Sequence, residues 1–347
     1  MSISVVDFFS GCGGTSLGLR ASGMSIVAGI DNDCDAANTY RLNFSEAHFF
    51  EKDICEMSTA ELGAILPPGE TLFAGCAPCQ PFSRQNREKK TEDSRRRLLG
   101  EFQRFVVDLK PTHVVVENVP GLQRLGRDGP LAAFVQTLEE MGYRVVSGIL
   151  HASHFGVPQR RTRFVLVASL IHERAKLPKS THGPGKKPVS TVRDWMANLS
   201  PLEAGGVDPM DPDHCSMSVS ATNMRRLKAT PEGGGRESWS ADLLLACHSD
   251  HKGHTDVYGR LAWDRPAAAM TTRCLSYSNG RFGHPVEDRA ISVREAACLQ
   301  TFPRDFRFTG NITSRGRQVG NAVPPLLSEA IGKVFGLSSN ASAETLF

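Results

Sequence analysis

The feature that most constrains the fold is a regular alternation, over the first half of the chain, of apolar runs with stretches of helical periodicity. The runs are almost continuous and rich in β-branched residues, as strands buried on both faces are. They predict strands at 3–9, 25–31, 71–77, 112–119, 143–150 and 163–169. Helices are predicted between them, at 15–23, 34–44, 98–109 and 131–142. This order predicts an α/β fold with a doubly wound, mostly parallel sheet covered by helices on both faces.

A glycine-rich loop, DFFSGCGGTSLG, follows the first strand and opens the first helix. Gly11 and Gly13 fit a dinucleotide fingerprint, but Ser16 stands where its third glycine belongs, and no phosphate-binding Gly-Lys-Ser/Thr sequence follows. Asp31 ends the second strand, where a carboxylate accepts hydrogen bonds from ribose hydroxyls. Asp53, after the next short strand, is placed to accept from an adenine amino group. We therefore expect a nucleoside cofactor without a pyrophosphate, which S-adenosylmethionine fits; an ordinary tight turn is the alternative.

Cys76 and Cys79 stand three positions apart in GCAPCQPFS, a spacing shared by redox pairs, metal sites and single reactive thiols. The nine cysteines are an odd number without a disulfide framework, and the first residues lack a signal peptide, so we expect a cytosolic protein with free thiols. Residues 84–97 carry seven basic and three acidic side chains, and a positive field favours a thiolate at Cys79. Glu117 ends the adjacent strand, where a buried carboxyl can act as a general acid. A small core residue and a strand-end salt bridge are the respective alternatives.

The charge of the chain changes along its length. Residues 1–80 carry ten acidic and three basic side chains, whereas the remainder carries 27 acidic and 37 basic ones. A basic remainder suits a polyanionic partner, and nucleic acid is the foremost candidate. The sequence contains no uncharged apolar run of the roughly 18 residues that a membrane span requires, so we expect no membrane contact.

The strand–helix alternation does not continue through the second half of the chain, which predicts more than one domain. We expect a catalytic and cofactor-binding domain at 1–177 and a smaller domain at 178–290, where glycine, proline, serine and histidine are frequent and apolar runs are few. A hinge segment at 291–312 and a C-terminal segment at 313–347 follow. The helical pattern at 324–337 predicts a helix that returns to the first domain.

With these residues in place, the chain resembles the DNA (cytosine-5)-methyltransferases of the bacterial type. Six segments carry the resemblance, in the order and spacing of that family: DFFSGCGG, GCAPCQPFS, ENVPG, QRRTR, SVREAACLQTFP and QVGNAVPP. They cover most of the chain outside about 172–255, and the combination of PCQPFS with ENV is highly specific. The resemblance implies the Rossmann-like fold of S-adenosylmethionine-dependent methyltransferases, with residues 178–290 as a target-recognition domain.

The resemblance also implies catalytic roles. Cys79 would attack carbon 6 of a cytosine, while Glu117 holds and protonates ring nitrogen 3 and so makes carbon 5 nucleophilic. Carbon 5 would take the methyl group of S-adenosylmethionine, and loss of its proton would release the enzyme. Arg163 would contact the base near its O2, and Arg161 would be a positioning partner. Because carbon 6 is out of reach in a stacked duplex, the base would be flipped out of double-stranded DNA.

The same matches imply the binding residues. Those for the cofactor are Phe9, against the adenine ring, with Gly11, Gly13, Gly14, Asp31, Asp53, Ile54, Pro78, Asn321 and Ala322. Those for DNA are Gln80, Ser83, Arg84, Gln85, Thr271, Thr272 and Arg273. No metal is expected, although His248, His251 and His254 have a spacing that zinc ligands can show. We expect a monomer, and the sequence leaves open whether a cognate restriction endonuclease acts on the same DNA site.

Three other functions stay open at this point. The nearest is a tRNA methyltransferase of the same fold, although that branch usually carries threonine at the position of Ser83. A catalytically silent DNA-binding module would not need Cys79, Glu117 and Arg163 together. A nicotinamide-dependent dehydrogenase would need the complete glycine fingerprint. Cys76 is expected to be a small strand residue, whose replacement by alanine leaves activity largely intact.

Overall fold

The computed structural model of the chain describes residues 2–76, 97–120, 129–245 and 256–336. Their strands are β1 (Ser4–Phe8), β2 (Ser25–Asp31), β3 (His48–Glu51), β4 (Thr71–Gly75), β5 (His113–Asn118), β6 (Arg144–His151), β7 (Gln159–Arg160), β8 (Thr162–Ser169) and β9 (Ala267–Ala268). Seven of them form a sheet in the order β3-β2-β1-β4-β5-β8-β6. Strands β1 to β5 pair in parallel, whereas β8 lies antiparallel between β5 and β6. The predicted mostly parallel sheet is confirmed.

The described residues form ten α-helices: α1 (Gly14–Ala21), α2 (Cys34–Asn43), α3 (Thr59–Gly63), α4 (Arg97–Leu109), α5 (Pro130–Glu140), α6 (Val192–Met196), α7 (Ala221–Lys228), α8 (Val293–Leu299), α9 (Ile312–Asn321) and α10 (Pro325–Gly332). The four helices predicted between the strands are α1, α2, α4 and α5. Within these parts of the chain, no helix combines the length and the apolar character needed to cross a membrane.

The centre of the sheet is buried because its strands are apolar on both faces. Every residue of β4 and β5 is buried. On one face, Phe8 of β1 meets Phe73 of β4, and Phe102 and Phe105 of α4, with ring centroids 5.2, 5.0 and 5.2 Å apart. Aromatic pairs at such distances contribute beyond the area that they bury. These contacts anchor α4 on the middle of the sheet.

Two glycines allow α10 to pack closely against α1. A Cβ atom on Gly18 would lie 2.2 Å from the carbonyl oxygen of Pro325, and one on Gly332 would lie 2.2 Å from Oγ of Ser22. Real Cβ atoms do not approach other atoms so closely, so both positions require a residue without a side chain. The C-terminal helix therefore covers the helix that follows the glycine-rich loop.

The chain divides into two compact units. The described residues of the first unit are 2–76, 97–120, 129–155, 162–180 and 323–336, and those of the second are 156–161, 181–245 and 256–322. These boundaries differ from the expected ones, because residues 291–322 belong to the second unit rather than to a hinge and a C-terminal segment. The reason is packing: α8 contacts both α6 and α9, which all lie in the second unit.

Buried ion pairs organise the second unit. Arg294 is fully buried, with its Nε 2.6 Å from a carboxylate oxygen of Asp211, and Arg289 is equally buried against the carboxylate of Glu295 at 2.7 Å. Buried charges are stable only when hydrogen bonds satisfy them, and Arg294 also donates to the carbonyl oxygen of Phe306 at 2.9 Å. The Arg294–Asp211 pair joins residues 83 positions apart. Such contacts explain a compact unit with few long helices or strands.

Candidate active site

Three residues of the loop after β1 have a left-handed backbone conformation. Phe9 has φ +57°, Gly11 +51° and Gly13 +95°. The two glycines are needed for different reasons. A Cβ atom on Gly13 would lie 2.4 Å from the ring of Phe44, whereas one on Gly11 would meet no atom within 4 Å. Gly11 therefore leaves an open space beside the backbone, and Phe9 holds a conformation that is uncommon for a side chain of its size.

A buried carboxyl beneath this loop fixes the start of α1. Gly13 is the residue before the helix and has no side chain with which to cap it. Asp7 of β1 replaces that cap, because its Oδ2 accepts hydrogen bonds from the backbone N–H of Ser16 at 3.1 Å and from its Oγ at 2.7 Å. The hydroxyl groups of Ser16 and Tyr40 are 2.7 Å apart. Burial raises the pKa of Asp7 from 3.8 to about 7.

Asp31 connects the end of β2 to the same loop. Its Oδ2 accepts from the backbone N–H of Gly11 at 2.8 Å, and its Oδ1 accepts from the N–H of Asp33 at 2.9 Å. Burial raises the pKa of Asp31 above its ordinary value, while these two amides act in the opposite direction. Each carboxylate oxygen has a second lone pair, so Asp31 keeps acceptor capacity for ligand hydroxyls.

The turn after β3 contains Asp53 and Ile54. Asp53 Oδ1 accepts from the backbone N–H of Cys55 at 2.9 Å, and Ile54 is buried. Arg104 of α4 holds this turn, since its Nη2 donates to the carbonyl oxygens of Ile54 and Met57 at 3.0 Å each. Arg104 was not among the residues predicted from the sequence. Its only signal was a basic residue in FQRFVV, a stretch of mostly apolar residues.

A further acidic side chain with defined partners lies where β4 and β5 end. Glu117 of β5 is 6% exposed. Arg163 of β8 places its Nε 2.6 Å from Oε1 of Glu117. Cys76, directly after β4, donates its thiol to Oε2 at 2.9 Å. Because β4 and β5 are parallel neighbours and β8 pairs antiparallel with β5, three strands bring these side chains to one point.

Six of the predicted site residues lie outside the described residues, within 77–96. They are the expected nucleophile, Cys79, together with Pro78, Gln80, Ser83, Arg84 and Gln85. The histidines considered as zinc ligands, His248, His251 and His254, lie outside the described residues as well. Cys76, three positions before Cys79 in the sequence, is within the described residues and contacts the Glu117 carboxyl.

Arg161 and the C-terminal residues predicted for the cofactor lie in the second unit. Arg161 is 3% exposed, and its guanidinium donates to the carbonyl oxygens of Met270 at 3.0 Å, Gly320 at 3.4 Å and Ala322 at 3.0 Å. These hydrogen bonds hold the end of α9 against the segment at Met270. Asn321 is exposed and Ala322 is buried.

The residues predicted for DNA in the second unit form a turn on its surface. Thr272 and Arg273 are exposed, and Thr271 is half-buried. Thr271 Oγ1 accepts from the backbone N–H of Arg273 at 3.3 Å. A Cβ atom on Gly320 would lie 2.0 Å from the carbonyl oxygen of Thr271, so the turn rests directly on α9. The turn thus packs against α9 while the side chains of Thr272 and Arg273 stay exposed.

Comparison with known proteins gives consistent results. The sequence matches the family described as C-5 cytosine-specific DNA methylase over residues 3–336. It is 39% identical to the Type II methylase M.HgiDII of Herpetosiphon aurantiacus, over 95% of this chain and 94% of that protein. It is 31% identical to the Type II methyltransferase M1.HphI of Haemophilus parahaemolyticus, over 96% of this chain and 86% of that protein.

Solved structures show the same fold. A protein assigned to the DNA modification methyltransferases, encoded within an Escherichia coli prophage, superposes with a TM-score of 0.69 at 25% identity, over 96% of this chain and 98% of that chain. A DNMT2 mutant of Spodoptera frugiperda superposes with a TM-score of 0.63 at 17% identity, over 96% of this chain and 99% of that chain. The likeness therefore extends over both compact units.

Proposed function

The chain belongs to the C-5 cytosine-specific DNA methylase family, and on that premise we propose how it methylates DNA. It is a DNA cytosine-5 methyltransferase. In our proposal the methyl group comes from S-adenosylmethionine and goes to carbon 5 of a cytosine that has been flipped out of the duplex. The observation that carries the proposal is the carboxyl of Glu117, buried and paired with Arg163 at 2.6 Å, beside the segment that leads to Cys79.

The residues around the glycine-rich loop fit S-adenosylmethionine, which supplies an electrophilic methyl group when bound. The open space beside Gly11 lets the ligand approach the backbone. Asp31 offers its remaining lone pairs to ribose hydroxyls, and Phe9 and Ile54 offer apolar surface to an adenine ring. An acidic side chain beside this loop disfavours a pyrophosphate and suits a sulfonium cation. Asp53 would accept from the adenine amino group.

Glu117 and Arg163 would bind and activate the cytosine. Arg163 would pair with Oε1 of Glu117 and direct the N–H groups that the carbonyl of Thr162 does not accept towards O2 of the base. Glu117 donates a proton from its other oxygen to ring nitrogen 3. As nitrogen 3 takes that proton, the thiolate of Cys79 adds to carbon 6, the electron pair of the C5–C6 double bond moves to C4–C5, and the electron pair of the C4–N3 double bond moves onto nitrogen 3. Carbon 5 becomes the nucleophile.

The same residues would release the product. After carbon 5 has accepted the methyl group, its proton passes to solvent, the C5–C6 double bond forms again, and the bond from carbon 6 to the sulfur of Cys79 breaks. The proton on nitrogen 3 returns to Glu117, so the enzyme regains its starting state. General acid–base catalysis of this kind contributes about 100-fold to 10,000-fold to a rate.

The second unit would recognise the DNA sequence. The exposed side chains of Thr272 and Arg273 are supported by α9 and can reach a phosphate or a base edge, as can Thr271. The excess of basic residues after residue 80 suits a polyanion. Because the two relatives compared above are named Type II enzymes, we propose that this chain is the modification enzyme of a restriction–modification pair.

Radiolabelled S-adenosylmethionine offered together with mixed genomic DNA and bulk tRNA tests this function. We expect label in DNA, in 5-methylcytosine after digestion to nucleosides, and at a single short sequence when the DNA is mapped by bisulfite sequencing. Cys79→Ala is expected to abolish transfer. Cys298→Ala, which removes a buried thiol from α8, serves as the matched control and keeps near-normal activity.

The other outcomes are equally clear. Label only in tRNA would replace the proposal by the RNA-modifying alternative. Label in neither nucleic acid, with a folded protein that binds S-adenosylhomocysteine, would contradict it altogether. Near-normal transfer by Cys79→Ala would show that the nucleophile is another residue.

A further inference from the structure

The carboxyl of Glu117 has two oxygens with chemically different partners. Oε1 faces the permanently charged guanidinium of Arg163 at 2.6 Å. Oε2 faces the neutral thiol of Cys76 at 2.9 Å. The reaction proposed above uses Glu117 and Arg163 but gives no role to this thiol. Cys76 is half-buried, so it lies at the edge of the site rather than deep in the core.

The guanidinium determines which oxygen carries the transferred proton. A cation 2.6 Å from Oε1 repels a proton on that oxygen and stabilises negative charge there. The proton that Glu117 gives to nitrogen 3 of the cytosine must therefore sit on Oε2. The thiol of Cys76 contacts that same oxygen.

A thiol can remain bonded to Oε2 in both protonation states of the carboxyl. When the carboxylate is ionised, the S–H group donates to Oε2; when Oε2 carries a proton, the sulfur accepts from it. Both bonds are weaker than those of a hydroxyl, so a cytosine nitrogen entering the site can displace the thiol at little cost. Alanine or valine at this position could form neither bond.

We propose that Cys76 is a positioning residue for methyl transfer, which holds Oε2 of Glu117 in the orientation that delivers its proton to the base. This inference rests on the proposed role of Glu117. It differs from the expectation drawn from the Cys-x-x-Cys spacing, in which Cys76 is only a small strand residue. In this proposal Cys79 attacks the cytosine, whereas Cys76 orients the carboxyl of Glu117.

Three substitutions separate positioning from packing. Cys76→Ala removes the thiol, Cys76→Val fills a similar volume without a hydrogen-bonding group, and Cys76→Ser keeps a group that can donate and accept. We expect Cys76→Ala and Cys76→Val to lower kcat about tenfold, the effect of losing one hydrogen bond to a charged partner, with KM for both substrates unchanged within about twofold. Cys76→Ser should recover at least a third of the wild-type kcat.

The measurements are kcat and KM on methylatable DNA, the dissociation constants for S-adenosylhomocysteine and DNA, and the melting temperature of each variant. Cys298→Ala, a buried thiol of the second unit, is the control and should keep the wild-type kcat. If a wild-type enzyme that methylates DNA loses no kcat in Cys76→Ala and Cys76→Val, the inference is wrong and the proposed function stands. A normal Cys76→Val beside a slow Cys76→Ala would show a packing role and overturn it.

Equal losses in all three variants would point to steric damage and would also overturn the inference. A rise in KM with an unchanged kcat would assign Cys76 to substrate binding instead. If the wild-type protein itself fails to methylate cytosine, the proposed function is at fault, which the same assay reveals before any variant is made.

Discussion

The two acidic centres of the sheet are held in different ways. Asp7, near the end of β1, and Asp31, at the end of β2, accept hydrogen bonds from backbone N–H groups of the glycine-rich loop and of a neighbouring turn, and Asp7 accepts one more from the hydroxyl of Ser16. Glu117, at the end of β5, is held by the side chains of Arg163 and Cys76. Among the residues that the structure describes, neither Asp7 nor Asp31 forms an ion pair with a basic side chain, whereas Glu117 does.

The difference suits two tasks. A backbone amide only donates, and its position is fixed by the fold, so acids held by amides make a rigid cradle for a ligand. Side chains can exchange one partner for another, which the role proposed for Glu117 requires because in that role the carboxyl gives away and recovers a proton. The comparison therefore predicts that substitutions at Glu117 affect the rate of methyl transfer, and that substitutions at Asp31 affect cofactor binding.

The largest effect is expected from Glu117→Gln. Glutamine keeps an oxygen for Arg163, but its amide cannot supply the proton that nitrogen 3 needs. We expect the single-turnover rate of methyl transfer to fall about 1000-fold, with the dissociation constant for DNA changed less than about threefold. Glu140→Gln, at the exposed end of α5, is the control. A rate within tenfold of the wild type would remove Glu117 from the reaction.

A smaller effect is expected from Asp31→Asn. Each carboxylate oxygen of Asp31 now accepts a hydrogen bond from a backbone N–H group, and asparagine would replace one of these oxygens by an NH2 group that can only donate. The neutral amide would also bind the ribose hydroxyls less strongly than the charged carboxylate. We expect the dissociation constant for S-adenosylhomocysteine to rise about 10-fold to 100-fold in calorimetric titrations, with little change in kcat at saturation. Asp35→Asn, in the first turn of α2, is the matched control. Unchanged affinity would place the ribose elsewhere.

The smallest change in activity, but a distinct change in stability, is expected from Asp7→Asn. Because the pKa of Asp7 is raised from 3.8 to about 7, the folded state binds more protons than the unfolded state between these values. The free energy of unfolding therefore falls as the pH rises through this window. Asparagine does not titrate, so the melting temperature of Asp7→Asn relative to the wild type should increase by a few degrees from about pH 5 to about pH 8.

Asp305→Asn, which replaces an exposed carboxyl of the second unit, is the control variant and is measured over the same pH range. A constant difference between Asp7→Asn and the wild type across the same pH range would mean that Asp7 is ionised in the folded protein throughout. Burial of Asp7 would then not raise its pKa as far as the structure indicates.

The first unit was largely predictable because its signals are local. The apolar runs that predicted β1, β2 and β5 lie within one or two residues of the observed strands, and Asp31 and Glu117 were identified from their positions at strand ends. The antiparallel insertion of β8 was not predicted, because periodicity reports burial and not direction. The contact of Cys76 with Glu117 depends on strand register, which no local pattern encodes.

The second unit was not predictable in the same way. The contacts that organise it, such as the pair of Arg294 with Asp211, join charged residues far apart in the chain. From the sequence alone, charged residues in a loop-rich region are predicted to be exposed to solvent rather than buried in a core. Arg161 illustrates the same limit. The resemblance placed it among the catalytic residues, and only the structure shows its guanidinium on the backbone carbonyls of Met270, Gly320 and Ala322.

The close packing of α10 against α1 has a consequence for biosynthesis. The ribosome must translate all 142 residues of 181–322 after the first unit's residue 180 and before its residue 323, which at cellular rates takes on the order of ten seconds. Until then Gly18 of α1 and Ser22, directly after that helix, lack their contacts with α10. A nascent or prematurely terminated chain therefore exposes this helix to chaperones and proteases, and only a completed polypeptide can conceal it.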